Sequence, residues 1–116
     1  MFRPTKMVLI VRSDLRMGPG KIASQCAHAA VTLAQSSGTI VKNMWMLKGQ
    51  PKIVLKADNE NVLNDIHQSA IKDKLNACLI RDAGRTQVES GTLTVLGIGP
   101  NSVEDIDKLT KHLKLL

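Results

Sequence analysis

Residues 6–30 read KMVLIVRSDLRMGPGKIASQCAHAA, and this stretch decides the fold. Met7–Val11 is an uninterrupted apolar run of strand formers. A continuous run, rather than strict alternation, fits a strand covered on both faces of its sheet. A polar, glycine-containing loop follows, Ser13–Lys21, and then an Ala-rich segment predicts a helix over about Lys21–Gln35, stopping near Gly38. Strand, glycine loop and helix in that order are the opening of an α/β domain.

Working outward, Ile53–Leu55, Ala77–Ile80 and Leu93–Ile98 are the further strand candidates. A second helix is predicted over about Ile40–Leu47, ending at Gly49. A third follows Asp58 and places Val62, Leu63, Ile66 and Ala70 on one face. The last follows Pro100, with Ser102 and Asp105 spaced as a capping box. Its inner stripe is Val103, Ile106, Leu109 and Leu113, and Lys111, His112 and Lys114 suit the dipole of its last turn. The element order is β-α-α-β-α-β-β-α. Strands joined through helices pair most easily in parallel, whereas the helix-free link Arg81–Gly91 favours an antiparallel fourth strand. The expected fold is a three-layer α/β/α domain with a four-stranded mixed sheet, its last strand antiparallel to the others. At 116 residues the chain is expected to be one domain, 1–116, with Met1–Thr5 a loose polar stub. No repeat or linker interrupts it.

Charge is unevenly divided. Residues 1–56 hold nine Lys/Arg and the single acid Asp14, net +8; residues 57–116 hold seven Lys/Arg and nine acids, net −2. A cationic half suits a polyanionic partner such as nucleic acid, although many basic surfaces bind nothing. With one Trp, one Phe and no Tyr, a base-stacking aromatic surface is almost excluded. Cys26 and Cys78 lie far apart, outside any CxxC or His/Cys ligand spacing, and read as reduced, buried small residues. Neither a signal peptide nor an apolar run near the ~20 residues of a membrane span is visible. The expected location is the cytoplasm, without membrane contact.

Two loops carry the polar chemistry, Ser13–Lys21 and Arg81–Gly91. With the first and third strands parallel, both leave the same sheet edge, where ligands of open α/β sheets bind. Topology therefore brings Lys21 and Asp82 to one edge without requiring contact. Lys21, Gln25 and His28, spaced i, i+4, i+7, form a narrow polar stripe beside an apolar face of Ile22, Cys26, Ala29, Ala30 and Leu33. Such a stripe is a wet face or one wall of a site, and both readings stand. Gly18-Pro19-Gly20-Lys21 also looks like a phosphate cradle at a helix start, or an ordinary turn. It fits no named nucleotide motif: GxxxxGK[ST] fails at Leu15 and Ile22, and Asp58 lies too far beyond GxGxxA. Cys26 and His28, two apart on a helix, point different ways, and His67 and His112 are isolated. No metal or cofactor set is visible.

At these loops the sequence resembles a known family. Lys6–Ala30 is similar to the opening of the archaeal and eukaryotic type II peptidyl-tRNA hydrolases. GQPKIVLK (Gly49–Lys56), RDAGRTQ (Arg81–Gln87), TVLGIGP (Thr94–Pro100) and the terminal HLKLL resemble their later blocks, in order and over nearly the whole chain. The resemblance implies cofactor-free hydrolysis of the ester in peptidyl-tRNA, with peptidyl-tRNA as the partner. It points to Lys21, Gln25, His28, Asp82, Arg85, Thr86 and Thr94 as the site region, Lys21 and Asp82 above all. Arg12, Arg16, Gly18 and Gly20, with Arg85, are assigned to substrate binding. Pro19 stands where relatives often have Lys, Ala27 where Ser is frequent, and Met46 where an acid is common. These departures bear on substrate affinity more than on activity. A homodimer and further protein partners, including any from the ubiquitin pathway, are left open.

In that reading Asp82 positions or deprotonates the attacking water, and Lys21 stabilises the oxyanion or contacts a terminal phosphate. A lysine beside Asp82 would lower its basicity and favour water orientation. Backbone N–H groups of the Asp82–Gly84 turn are candidates to complete the oxyanion site, with Gln25, His28, Thr86 and Thr94 organising hydrogen bonds. The rival readings are a non-catalytic RNA- or protein-binding module and a phosphate- or nucleotide-binding enzyme.

Overall fold

The computed structural model describes residues 3–84 and 88–116. Its elements are β1 (Thr5–Arg12), α1 (Pro19–Ser36), α2 (Thr39–Leu47), β2 (Lys52–Ala57), α3 (Glu60–Lys72), β3 (Ala77–Arg81), β4 (Leu93–Ser102), α4 (Val103–Thr110) and β5 (Lys114–Leu115). One mixed sheet runs in the order β3-β4-β1-β2-β5. β1 and β2 are parallel, and β4 lies antiparallel between β3 and β1. β1, β2 and β3 therefore point the same way, and their carboxyl ends share one edge.

Both faces of the sheet are covered. Val8 and Ile10 of β1 pack with Leu63, Ile66 and Ala70 of α3 and Ile106 of α4. Met7, Leu9 and Val11 pack instead with Cys26, Ala29 and Leu33 of α1 and Trp45 of α2. This period-2 alternation inside a wholly apolar run is what a doubly covered strand requires. Each such fully buried Leu or Ile contributes about 1.5–3 kcal/mol of transfer free energy.

Three expectations need correction. The sheet has five strands, not four. β5 pairs antiparallel with β2 through Leu55↔Leu115 and Lys56↔Lys114. Correspondingly α4 stops at Thr110, so Lys111 and His112 form a turn and Lys114 belongs to β5 rather than to a helical last turn. The last helix follows Pro100 as expected, but β4 runs on to Ser102 rather than ending at Ile98, so Pro100 lies within it, where the β1–β4 register breaks between Val8↔Ile98 and Lys6↔Asn101. A residue without an N–H is tolerated at such an irregularity. Ser102 does cap α4, its Oγ accepting from Asp105 N at 3.2 Å. The polar start joins the sheet early, since Thr5 pairs with Ser102 and the Pro4 carbonyl accepts from Val103 N.

Candidate active site

Lys21 sits in the first turn of α1 and Asp82 directly follows β3. Sequence topology brings them to one edge; the structure brings them into contact. Lys21 Nζ donates to Asp82 Oδ1 in an ion pair whose side chains are 7% and 2% exposed. The second oxygen, Oδ2, accepts from Gly84 N at 2.7 Å. The Asp82 backbone is clamped as well: its N–H donates to the Thr92 carbonyl and its carbonyl accepts from Gly91 N, both at 2.8 Å. The carboxylate is thus held by the loop that closes β3 onto β4, and the ammonium by a helix packed across β3, β4 and β1.

These contacts narrow one expectation. Of the N–H groups in the Asp82–Gly84 turn, those of Asp82 and Gly84 are engaged within the loop, by the Thr92 carbonyl and by Asp82 Oδ2. They fix the carboxylate rather than an oxyanion.

Gln25, one turn beyond Lys21, is buried rather than wet. Its Nε2 donates to Thr94 Oγ1 at 2.6 Å, and Thr94 Oγ1 donates to the Ile80 carbonyl at 3.2 Å. Thr94 is fully buried. This chain ties α1 to the β3–β4 ladder directly beneath the ion pair. A buried polar chain is stable only if every member is satisfied, and among the described residues no buried side-chain polar atom lacks a partner.

The other candidates separate. His28 is exposed, about 10 Å along the helix axis from Lys21 by the α-helical rise, and the structure does not bring it to the ion pair. Arg12 is held by Asp14, with Nη2 at 2.7 Å and Nε at 3.1 Å, and by the Leu93 carbonyl at 3.0 Å. The hydrogen bonds to Asp14 raise the Arg12 pKa, and reciprocally lower that of Asp14. Arg12 thus locks the end of β1 to the start of β4. Arg16 is exposed on the loop before α1 at φ 52, Gly18 is the N-cap of α1, and Gly20 lies exposed in its first turn. Arg85 and Thr86 lie outside the described residues. The contributions missed by sequence reasoning are backbone atoms, Gly91 N and the Thr92 and Ile80 carbonyls, while the Gly84 N–H is expected at the site in another role. Side-chain patterns carry no signal for such groups.

Cys26 is buried on the apolar face of α1, and burial pushes its thiol pKa up. A neutral thiol is a poor nucleophile. Cys26→Ala is expected to keep turnover within about threefold of the parent while losing about 1 kcal/mol of stability from the vacated volume. A folded variant without any turnover would restore covalent catalysis by the thiol. Among the described residues no group of three or more His, Cys, Asp and Glu is placed to hold a metal ion.

Comparison with known proteins agrees with this architecture. The sequence matches the family model of Peptidyl-tRNA hydrolase PTH2 over residues 5–116. It is 50% identical over 119 aligned residues to a peptidyl-tRNA hydrolase of Sulfurisphaera tokodaii, covering 97% of this chain and 98% of that one. It is 44% identical to a peptidyl-tRNA hydrolase of Haloquadratum walsbyi, covering 95% of this chain and 98% of the relative. It is also 51% identical to the mitochondrial peptidyl-tRNA hydrolase 2 of Mus musculus, but spans 62% of that longer protein. A match across nearly every element, including both loops that hold Lys21 and Asp82, establishes that the chain belongs to the peptidyl-tRNA hydrolase PTH2 family.

Proposed function

We propose that this protein hydrolyses the ester between a peptide and the terminal ribose of its tRNA, releasing both, and that the Lys21–Asp82 pair carries the reaction. The observation behind the site assignment is the pairing of an ammonium and a carboxylate, almost wholly withdrawn from solvent, where two polar loops meet at the carboxyl edge of the sheet. Charges removed from water act more strongly on a neighbouring reaction than charges in it. A water oriented by Asp82 adds to the ester carbonyl, Lys21 stabilises the oxyanion, and the C–O bond to ribose breaks as the ribose oxygen takes up the proton the water gives up. The Gln25–Thr94 chain acts indirectly, keeping the start of α1 registered on β4.

In this reading Asp82 orients the water rather than acting as a strong base, and the ammonium facing one of its oxygens supports that assignment. No helix among the described residues is long and apolar enough to cross a membrane. With Cys26 and Cys78 both free thiols, the proposal sets the work in the cytoplasm.

The deciding experiment is release of deacylated tRNA from N-acetyl-aminoacyl-tRNA by the purified protein. Turnover is expected, and substrate binding should weaken with salt because residues 1–56 carry net +8. About three contacts to single-stranded phosphates would give a log–log slope near −2. Binding without release of tRNA would leave only an RNA-binding module. A flat salt profile would make the charge asymmetry incidental.

A further inference from the structure

The short strand β5 creates a feature that the reacting pair does not use. Lys56 of β2 lies directly opposite Lys114 of β5 in an antiparallel ladder. Directly opposed residues share a face, and like charges there repel. Lys111 and His112 form the turn leading into β5 and are exposed. The five ion pairs among the described residues engage Asp14, Asp82, Glu104, Asp105 and Asp107 with other cations, and none includes Lys56, Lys111 or Lys114. None of these ion pairs engages the two lysines that face each other across the rung.

Its position gives this cluster a use. Alternation along β2 sets Val54 on the α1–α2 side and Leu55 and Ala57 on the other, so Lys56 and its partner Lys114 share the side that carries α1. Lys56 is the penultimate residue of β2, at the same carboxyl edge as Asp82 after β3. Counting across β3-β4-β1-β2-β5 at about 4.8 Å per strand places Lys56 about 14 Å, and Lys114 about 19 Å, from the Asp82 strand. The few unpaired nucleotides at the 3′ end of a tRNA bridge such a distance. Across an antiparallel rung the Cα atoms are only about 5 Å apart, so two flexible lysines can close on one phosphate.

We propose that the opposed pair Lys56–Lys114, flanked by Lys111 and His112, is a second anchoring site. It takes the sugar-phosphate backbone of the tRNA acceptor stem while the esterified 3′ end lies at Lys21–Asp82. This deepens the function proposed above and rests on it. A phosphate between the two ammonium groups replaces their repulsion with attraction, so the rung is best satisfied when substrate is bound. The contact is sequence-independent and salt-sensitive.

The test uses the full chain and two substrates: N-acetyl-aminoacyl-tRNA, and the same aminoacyl ester on a CCA trinucleotide. The Lys56→Gln/Lys114→Gln variant is expected to raise KM for the full tRNA about tenfold with kcat retained, and to lower its salt slope by about one or more. KM for the trinucleotide should not change. Lys114→Glu, an exposed single substitution, should raise KM on the full tRNA in the same direction. Thermal unfolding should show no loss of stability on removing the like-charged rung. Equal losses on both substrates, or an unchanged KM and salt slope on full tRNA in folded variants, would overturn the proposal. If the parent protein releases no tRNA at all, the functional reading fails separately. Direct binding of deacylated tRNA then decides this one, and equal affinity of parent and double variant refutes it.

Discussion

Lys21→Ala and Asp82→Asn are each expected to slow single-turnover hydrolysis by about 10²-fold or more at saturating enzyme. One charge orients the attacking water and the other stabilises the charge that develops, so losing either removes most of what the pair does together. Their effects should be non-additive, because both serve one transition state. Sequence alone suggests that these changes damage the chemical step more than the fold, since both residues neighbour glycine turns where long apolar packing is not expected. The structure revises that expectation. The two side chains are 7% and 2% exposed, and each neutralises the other. Removing one partner of a buried pair strands the other charge and costs about 3–5 kcal/mol, against a total stability of about 5–15 kcal/mol for a typical domain.

A double substitution separates the two consequences. Lys21→Met/Asp82→Asn leaves no buried charge, so its unfolding temperature should recover above that of Lys21→Ala. Its hydrolysis should stay as low as that of the single variants. Recovery of stability without activity would assign the pair to chemistry rather than to folding. Near-normal cleavage by the double variant, with the fold confirmed by thermal unfolding, would sink the assignment of Lys21 and Asp82.

The sequence reveals most strongly those elements whose environment is uniform along their length. The run Met7–Val11 is apolar because both faces of β1 are covered, and it announces a central strand without help from other segments. α3 is equally readable, with Leu63, Ile66 and Ala70 buried at helical spacing. β5 is not. Two residues have no measurable period, and Leu113 continues the stripe of Ile106 and Leu109, so the tail reads as more helix. The end of β4 is hidden for a related reason: Pro100 sits at a register break where strand patterning lapses, so the strand reads as ending at Ile98 although it runs on to Ser102. Within the site, topology predicts convergence of the two loops but not contact, because Lys21 and Asp82 are 61 positions apart. Gln25 and His28 look alike on a helical stripe. Only packing against Thr94 distinguishes the buried amide from the exposed imidazole.

Gly99→Ala is expected to be the most damaging of the single-methyl additions, costing about 3–5 kcal/mol. Two separate effects act there. Gly99 has φ +114, a conformation L side chains rarely adopt. A Cβ at this position would also lie 2.6 Å from the Lys6 carbonyl oxygen and 3.0 Å from Met7 Cα. Both obstacles are backbone of the adjacent central strand, which cannot swing aside as a side-chain tip can. The site is further fixed by Asn76: Gly99 N donates to the Asn76 carbonyl at 2.8 Å, and Asn76 Nδ2 donates to the Gly99 carbonyl at 2.9 Å. Relief of the clash would therefore shift the β1–β4 ladder, which also carries Thr94. Gly49 supplies the control. Its φ is +93, yet nothing lies within 4 Å of the added Cβ, so Gly49→Ala meets conformational strain alone and should cost about 1 kcal/mol. In thermal unfolding Gly99→Ala should fall by on the order of 10–20 °C and Gly49→Ala by about 4 °C. Equal shifts for the two variants would show that the close approach of β4 to β1 at Gly99 is not what limits this position.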